Sequence, residues 1–180
     1  GVLTPEEIVG AGIDKEIAKI GIADHWGTRK YSGRFQVTDV RSYIEVLRTL
    51  KKDKRIEVYV GLEIDFSYNY GADPGTYPYD LFNEMDFLLF EYVDSDEKKG
   101  DLVSGRSLDE LIQIRKKLKI PVGLAHNHFQ RHYAGEEAIT IKKLKDNDIF
   151  LELCDAEDSG SKVVDNRIFS QMMEIKRNVK

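Results

Sequence analysis

The stretch IEVYVGLEIDF, residues 56–66, decides the fold class of this chain. It is rich in β-branched and aromatic residues, which favour a β-strand. Its apolar run is almost continuous, as in a parallel-sheet strand covered by helices. Glu63 interrupts that run, and a carboxylate placed inside a buried strand is costly unless it has a partner or a function. The stretch therefore predicts a buried strand that carries a candidate functional residue, Glu63.

Helical and strand-like segments alternate on both sides of this strand. Capping boxes at Thr4–Glu7 and Ser107–Glu110 predict two helix starts. The alternation predicts right-handed βαβ units and a parallel sheet, either open or closed. The other predicted strands are 20–23, 86–93, 121–126 and 149–153, and the other predicted helices are 38–51, 136–145 and 166–177.

Bulk composition is that of one soluble globular domain over residues 1–180, with 41% hydrophobic and 33% charged residues. No apolar run approaches the roughly 20 residues that span a bilayer, so we expect no membrane partner. The net charge of -5 argues against a nucleic-acid partner. Cys154 is the single cysteine, which excludes a disulfide framework and favours a reducing, cytoplasmic setting.

Residues able to bind metals follow most of the predicted strands. Functional groups of parallel β/α folds gather at the carboxyl ends of the strands. Imidazoles together with carboxylates suit zinc, manganese or iron better than calcium or magnesium. The candidates are Asp24-His25, Glu63 with Asp65, His126 with His128, Glu152 with Asp155, and Glu91 on the remaining strand.

Each candidate also has a purely structural interpretation. Asp24-His25 could cap a turn after its strand. His128 and His132 could be solvated side chains of a polar loop. Glu91 and Glu152 could be partners in structural ion pairs. The residues alone leave these alternatives open.

Several short motifs, taken in order, resemble the PHP (polymerase and histidinol phosphatase) family over nearly the whole chain. They are GVLTPEEIV (1–9), KIGIADH (19–25), YVGLEIDF (59–66), VGLAHNH (122–128) and IFLELCD (149–155). The resemblance implies an α/β fold of the distorted, TIM-like parallel (β/α)7-barrel type, and whether this sequence lacks both ends of the barrel stays open.

The resemblance also implies a metal site with departures from the family pattern. His25, His126 and a bridging Glu63 match family ligands. The family's His-x-His and final Asp-x-His motifs are not found, Val93 stands at the place of a family histidine, and Asn127 stands where proline is usual. Truncation, substitute ligands such as Glu91, His128 or Asp155, and a decayed site remain as three explanations.

We therefore expect a metal-dependent phosphoesterase with histidinol-phosphatase-like chemistry on a small phosphorylated substrate. Two or three divalent ions, zinc, manganese or iron, would polarise the phosphate and activate the attacking water. Glu63 and Asp24 are the expected catalytic residues, with Asp24 orienting His25 or a water. Phosphate oxygens would be held by Arg29, Lys30 or Arg131, which lie on the same post-strand loops.

The alternative expectation belongs to another class of protein. A PHP-like domain without a working metal site can serve as a non-catalytic scaffold, such as a protein subunit of ribonuclease P. A contiguous basic surface away from the strand ends would favour this alternative. The sequence leaves the oligomeric state open.

Overall fold

The computed structural model describes residues 3–30, 36–99, 101–127 and 129–152. The predicted ligand His128 lies outside the described residues. Cys154, Asp155 and the predicted helix 166–177 lie outside them as well.

Parallel strands form the main sheet, as the sequence predicts. The strands among the described residues are β1 (Lys19–Trp26), β2 (Glu57–Asp65), β3 (Phe87–Glu91), β4 (Asp96–Lys99), β5 (Asp101–Ser104), β6 (Val122–Leu124) and β7 (Ile149–Leu151). The main sheet has five strands in the order β1-β2-β3-β6-β7, and β4 and β5 pair as a separate antiparallel hairpin. Among the described residues the main sheet is open, with β1 and β7 at its edges.

Helices precede the first strand of the sheet and connect the later ones. They are α1 (Pro5–Asp14), α2 (Val40–Leu50), α3 (Tyr79–Phe82), α4 (Leu108–Arg115), α5 (Phe129–His132) and α6 (Glu137–Asp146), with a 3-10 turn at Pro74–Thr76. Both predicted capping boxes are present, one between Thr4 and Glu7 and one between Ser107 and Glu110. None of the helices in the described ranges has the length and apolar character that crossing a membrane requires.

The core lies on one face of the main sheet, because side chains alternate along each strand. On β2 the alternate residues Val58, Val60, Leu62 and Ile64 are buried in one apolar cluster with residues of the helices. The opposite face carries Glu63 and borders a cavity of about 340 Å³. Glu63 therefore interrupts the apolar run because it lies on the face of β2 away from this cluster.

Several elements differ from the sequence prediction, among them β1, which continues through Trp26, and the unpredicted short helix α3. The predicted strand 86–93 ends at Glu91, and the polar segment after it forms the β4–β5 hairpin. The sequence predicts a polar loop at His132, which lies instead in the short helix α5. Neither segment has an apolar periodicity long enough to predict an element from sequence.

Candidate metal centre

Side chains from three neighbouring strands meet at the carboxyl edge of the sheet. In the β1–β2 register, His25 lies opposite Glu63, so both side chains share a face. Glu91 ends β3, opposite Asp65 and two residues beyond the Glu63 level. One potential ligand atom each from His25, Glu63 and Glu91 lies within 4.8 Å of the others.

His126 joins this group from the turn after β6. Its Nε2 lies 2.9 Å from Glu63 Oε1 and 3.7 Å from Glu91 Oε2. The backbone of His126 has a φ of 27°, a left-handed conformation that is rare for a residue other than glycine. Its backbone N–H donates to Glu152 Oε2 at 2.8 Å, so the carboxylate after β7 holds the turn. We call His25, Glu63, Glu91 and His126 the metal group.

Glu91 is the most buried member of the metal group, with 1% of its surface exposed. Its Oε1 accepts no hydrogen bond from any described residue. Burial raises the pKa of Glu91 to about 7, and the negative charges of Glu63 and Asp65 act in the same direction. A buried, unsatisfied carboxylate beside other carboxylates is stabilised by a cation between them.

The surroundings of His126 favour its charged form, whereas those of Glu91 favour its neutral form. Its hydrogen bond to Glu63 raises the pKa of the imidazole to about 8, and the charges of Glu63, Glu91 and Glu152 also raise it. The side chain is 45% exposed, which leaves it open to solvent at the mouth of the site. Without a metal, the proton on His126 balances part of the negative charge that a divalent ion would neutralise.

The donor set fits a divalent transition metal. Two imidazoles and two carboxylates converge, and these are the nitrogen and oxygen ligands that zinc, manganese and iron bind. The unsatisfied Glu91 Oε1 gives independent support, because metal ligation would satisfy it. His25, Glu63, Glu91 and His126 are thus the residues that could hold a metal.

Asp65 has a structural position although the sequence marks it as able to bind a metal. It is 1% exposed, and its carboxylate accepts hydrogen bonds from Thr28 Oγ1 at 2.7 Å and Ser67 Oγ at 2.5 Å. The Ser67 backbone N–H donates to it as well, at 3.1 Å. Asp65 therefore joins the loop after β1 to the loop after β2 and fixes the walls of the site.

The structure does not bring Asp24, a predicted catalytic residue, into the metal group. Asp24 lies opposite Leu62 in the β1–β2 register, and Leu62 belongs to the apolar core. Successive side chains of a strand point to opposite faces, so Asp24 and His25 diverge. The backbone N–H of Asp24 donates to the Tyr43 hydroxyl at 3.2 Å.

The three predicted phosphate-binding cations have different surroundings. Lys30 Nζ lies 3.4 Å from the ring centroid of Tyr92, and its charge lowers the pKa of Glu91, which places it beside the metal group. The Arg29 guanidinium donates to the carbonyl of Asn69 at 3.0 Å. Arg131 is exposed on α5. Lys30 is thus the predicted cation that the structure relates directly to the metal group.

Sequence reasoning missed the residues that support the metal group. Thr28 and Ser67 bind Asp65, and a hydrogen bond with Tyr92 lowers the pKa of Glu91. The available signal was their position, since each follows a candidate ligand within three residues. Val93, at the place of a family histidine, is fully buried, and its carbonyl accepts a hydrogen bond from the Asn127 side chain at 3.1 Å.

Comparison with known proteins identifies no family. No protein-family model matches the chain, and no curated protein matches it either. The likeness to the PHP family thus depends on the motifs and remains a prediction.

Proposed function

We propose that this chain is a metal-dependent phosphoesterase that hydrolyses a small phosphorylated substrate. The observation that carries the proposal is the convergence of His25, Glu63 and Glu91, with donor atoms within 4.8 Å of one another, beside His126. Nitrogen and oxygen donors of this kind bind the divalent ions that catalyse phosphoester hydrolysis. Two or three ions, as the PHP resemblance implies, are part of the proposal.

The order of the strands supports a barrel of the PHP kind. A doubly wound sheet reverses its strand order at a switch point, where its ligand binds. The described strands follow chain order without such a reversal, β1-β2-β3-β6-β7, which is the order of strands around a β/α barrel. The metal group then lies at the carboxyl-terminal mouth, where barrel enzymes have their active sites.

Each residue of the site has a defined task in this proposal. His25, Glu63, Glu91 and His126 hold the metal, which when bound supplies Lewis-acid polarisation of the phosphate and activates water. Lys30 binds the phosphate oxygens as a point charge, and the Tyr92 ring beneath it restricts its position. The Asp65 network keeps the two loops in place while substrate binds.

The test compares two alanine variants of β2, one that removes the carboxylate of the metal group and one that removes a carboxylate outside it. Glu63→Ala should lower metal-dependent release of phosphate from p-nitrophenyl phosphate by about 100-fold or more, since even residues behind metal ligands contribute roughly 10–100-fold. Glu57→Ala is the control, because Glu57 is exposed and pairs with Lys19 at the other end of β2.

Metal content is measured on the same proteins by elemental analysis. The wild type and Glu57→Ala should retain zinc or manganese, and Glu63→Ala and His126→Ala should each lose at least one ion. Hydrolysis that survives in Glu63→Ala, or a wild type that binds neither metal, would overturn the proposal.

A further inference from the structure

Two segments of the chain concentrate positive charge despite the net charge of -5. The segment between α2 and β2 and the segment between α4 and β6 together hold seven basic residues and a single acidic one, Asp53. The basic residues are Lys51, Lys52, Lys54, Arg55, Lys116, Lys117 and Lys119.

Both segments lie at the amino-terminal end of the parallel sheet, opposite the metal group. Each immediately precedes a strand, whereas His25, Glu63 and Glu91 lie at strand carboxyl ends. The loop before β3 joins the two segments. Its Asn83 accepts the Lys119 N–H at 2.6 Å and donates to the Lys117 carbonyl at 3.3 Å, and its Asp86 binds Lys51 at 2.7 Å.

Structural roles explain some of the cations at this end but not all. Lys51 pairs with Asp86, and Arg55 pairs with Asp53. Basic residues in the last turn of a helix, such as Arg48 and Arg115, also complement the helix dipole. The cations that remain are exposed and have no carboxylate partner within the described part of the chain. They are Lys52, Lys54, Lys116, Lys117 and Lys119, and we call them the basic pole.

Two members of the basic pole have weak contacts that leave their charge available. Lys116 Nζ donates to the neutral Gln113 side chain at 2.9 Å. Lys117 Nζ lies 5.0 Å from the Tyr79 ring centroid. Neither contact neutralises an ammonium group, so Lys116 and Lys117 keep their positive charge at the surface.

We propose that the basic pole binds the phosphate backbone of a nucleic acid without sequence preference. Ammonium groups on flexible stems bind phosphate oxygens as point charges and release counterions from the polyanion. Neither segment carries an exposed large apolar side chain of the kind that anchors protein interfaces. The acidic remainder of the molecule opposes binding, so the affinity depends steeply on salt.

The experiment measures binding of the full chain to fluorescein-labelled single-stranded RNA of about 20 nucleotides by fluorescence anisotropy. Salt is varied from about 50 to about 200 mM, a range over which phosphate contacts weaken strongly. Lys52→Gln/Lys119→Gln should lower the affinity at the lowest salt by about tenfold and reduce the salt slope by about 1.4, since each phosphate contact of a single strand contributes about 0.7. RNAs of unrelated sequence should be affected equally.

The matched control removes two positive charges away from the basic pole. Arg41 lies in the first turn of α2, and Lys142 pairs with Asp146 on α6. Arg41→Gln/Lys142→Gln should change the affinity by less than about twofold. An equal loss in both double variants, no RNA binding by the wild type, or binding to polyglutamate but not to RNA would overturn the proposal. The proposal does not depend on the phosphoesterase activity, and a basic surface in this position is also what the scaffold alternative predicts.

Discussion

Two residues of the metal group, Glu91 and His126, are held in conditions that are energetically unfavourable for the folded chain. Glu91 is buried beside two other carboxylates, and His126 has a left-handed backbone. Both conditions cost folding free energy in the absence of a ligand. Such local costs are typical of sites where surrounding structure maintains a geometry for binding.

Metal-free protein should lose stability as the pH rises from about 5 to about 8. The folded-state pKa of Glu91 is raised to about 7 and that of His126 to about 8, so folding favours their protonated forms. Their stabilising contribution is complete below their ordinary pKa values and is lost as the pH rises through the raised ones. Urea unfolding of the chelated protein across this range measures the effect.

Glu91→Gln provides the comparison, because an amide does not titrate. The variant should show a flatter dependence of unfolding free energy on pH than the wild type. With manganese or zinc in excess the dependence should reverse, since metal competes with protons for the same atoms. Identical pH profiles for wild type and Glu91→Gln would contradict the assigned pKa of Glu91.

Glu152 should control metal affinity without being a member of the metal group. Its carboxylate accepts the backbone N–H of His126 and so orients the imidazole toward Glu63. Glu152→Ala should weaken zinc or manganese binding by about tenfold, the lower range for residues that orient ligands. Glu152→Gln keeps an acceptor oxygen and should stay close to the wild type in isothermal titration calorimetry. Equal metal affinities for Glu152→Ala and the wild type would contradict this role of Glu152.

At the level of elements, the β4–β5 hairpin is attached to the end of β3 through a close backbone approach. Gly105 follows β5, and its N–H donates to the Ser95 carbonyl at 2.7 Å. A Cβ atom at Gly105 would lie 1.8 Å from the Tyr92 carbonyl oxygen and 2.8 Å from the Ser95 nitrogen. Only glycine permits this approach, which holds the Tyr92 segment beside the metal group.

Gly105→Ala should therefore destabilise the protein by about 2 kcal/mol or more, because backbone atoms must move to admit the methyl group. For a chain of this size, that corresponds to a fall in Tm of roughly 4–8 °C. Differential scanning calorimetry measures it. Gly10→Ala in α1 is the control, since a Cβ there meets no atom within 4 Å, and it should raise stability by about 0.5–1 kcal/mol. A Gly105→Ala variant as stable as the wild type would rule out the close approach.

Local signals determined how well each element could be predicted. The capping boxes at Thr4 and Ser107 and the apolar run of β2 have strong sequence signatures, and those elements are where the sequence predicts them. The hairpin β4–β5 has the polar sequence DEKKGDLVS and forms a two-stranded sheet separate from the main sheet. It approaches the end of β3 closely at Gly105, a contact that no local pattern reveals.

For the molecule as a whole, the parallel sheet was predictable and its closure was not. Alternation of strands and helices implies parallel neighbours, and the carboxyl ends of such strands share one edge. This reasoning brings His25, Glu63, Glu91 and His126 together correctly. It fails for Asp24, because adjacent residues of a strand face opposite sides, and for Arg29, because its partner Asn69 lies on another loop.

The carboxylates at the mouth of the site also bear on the order in which a metal ion and a phosphate would bind. Glu63, Glu91 and the nearby Asp65 repel a phosphate dianion that approaches before any cation is bound. The same field attracts a free divalent ion, so in the proposed phosphoesterase the metal would bind before the phosphate. Substrate saturation would then depend on the metal concentration.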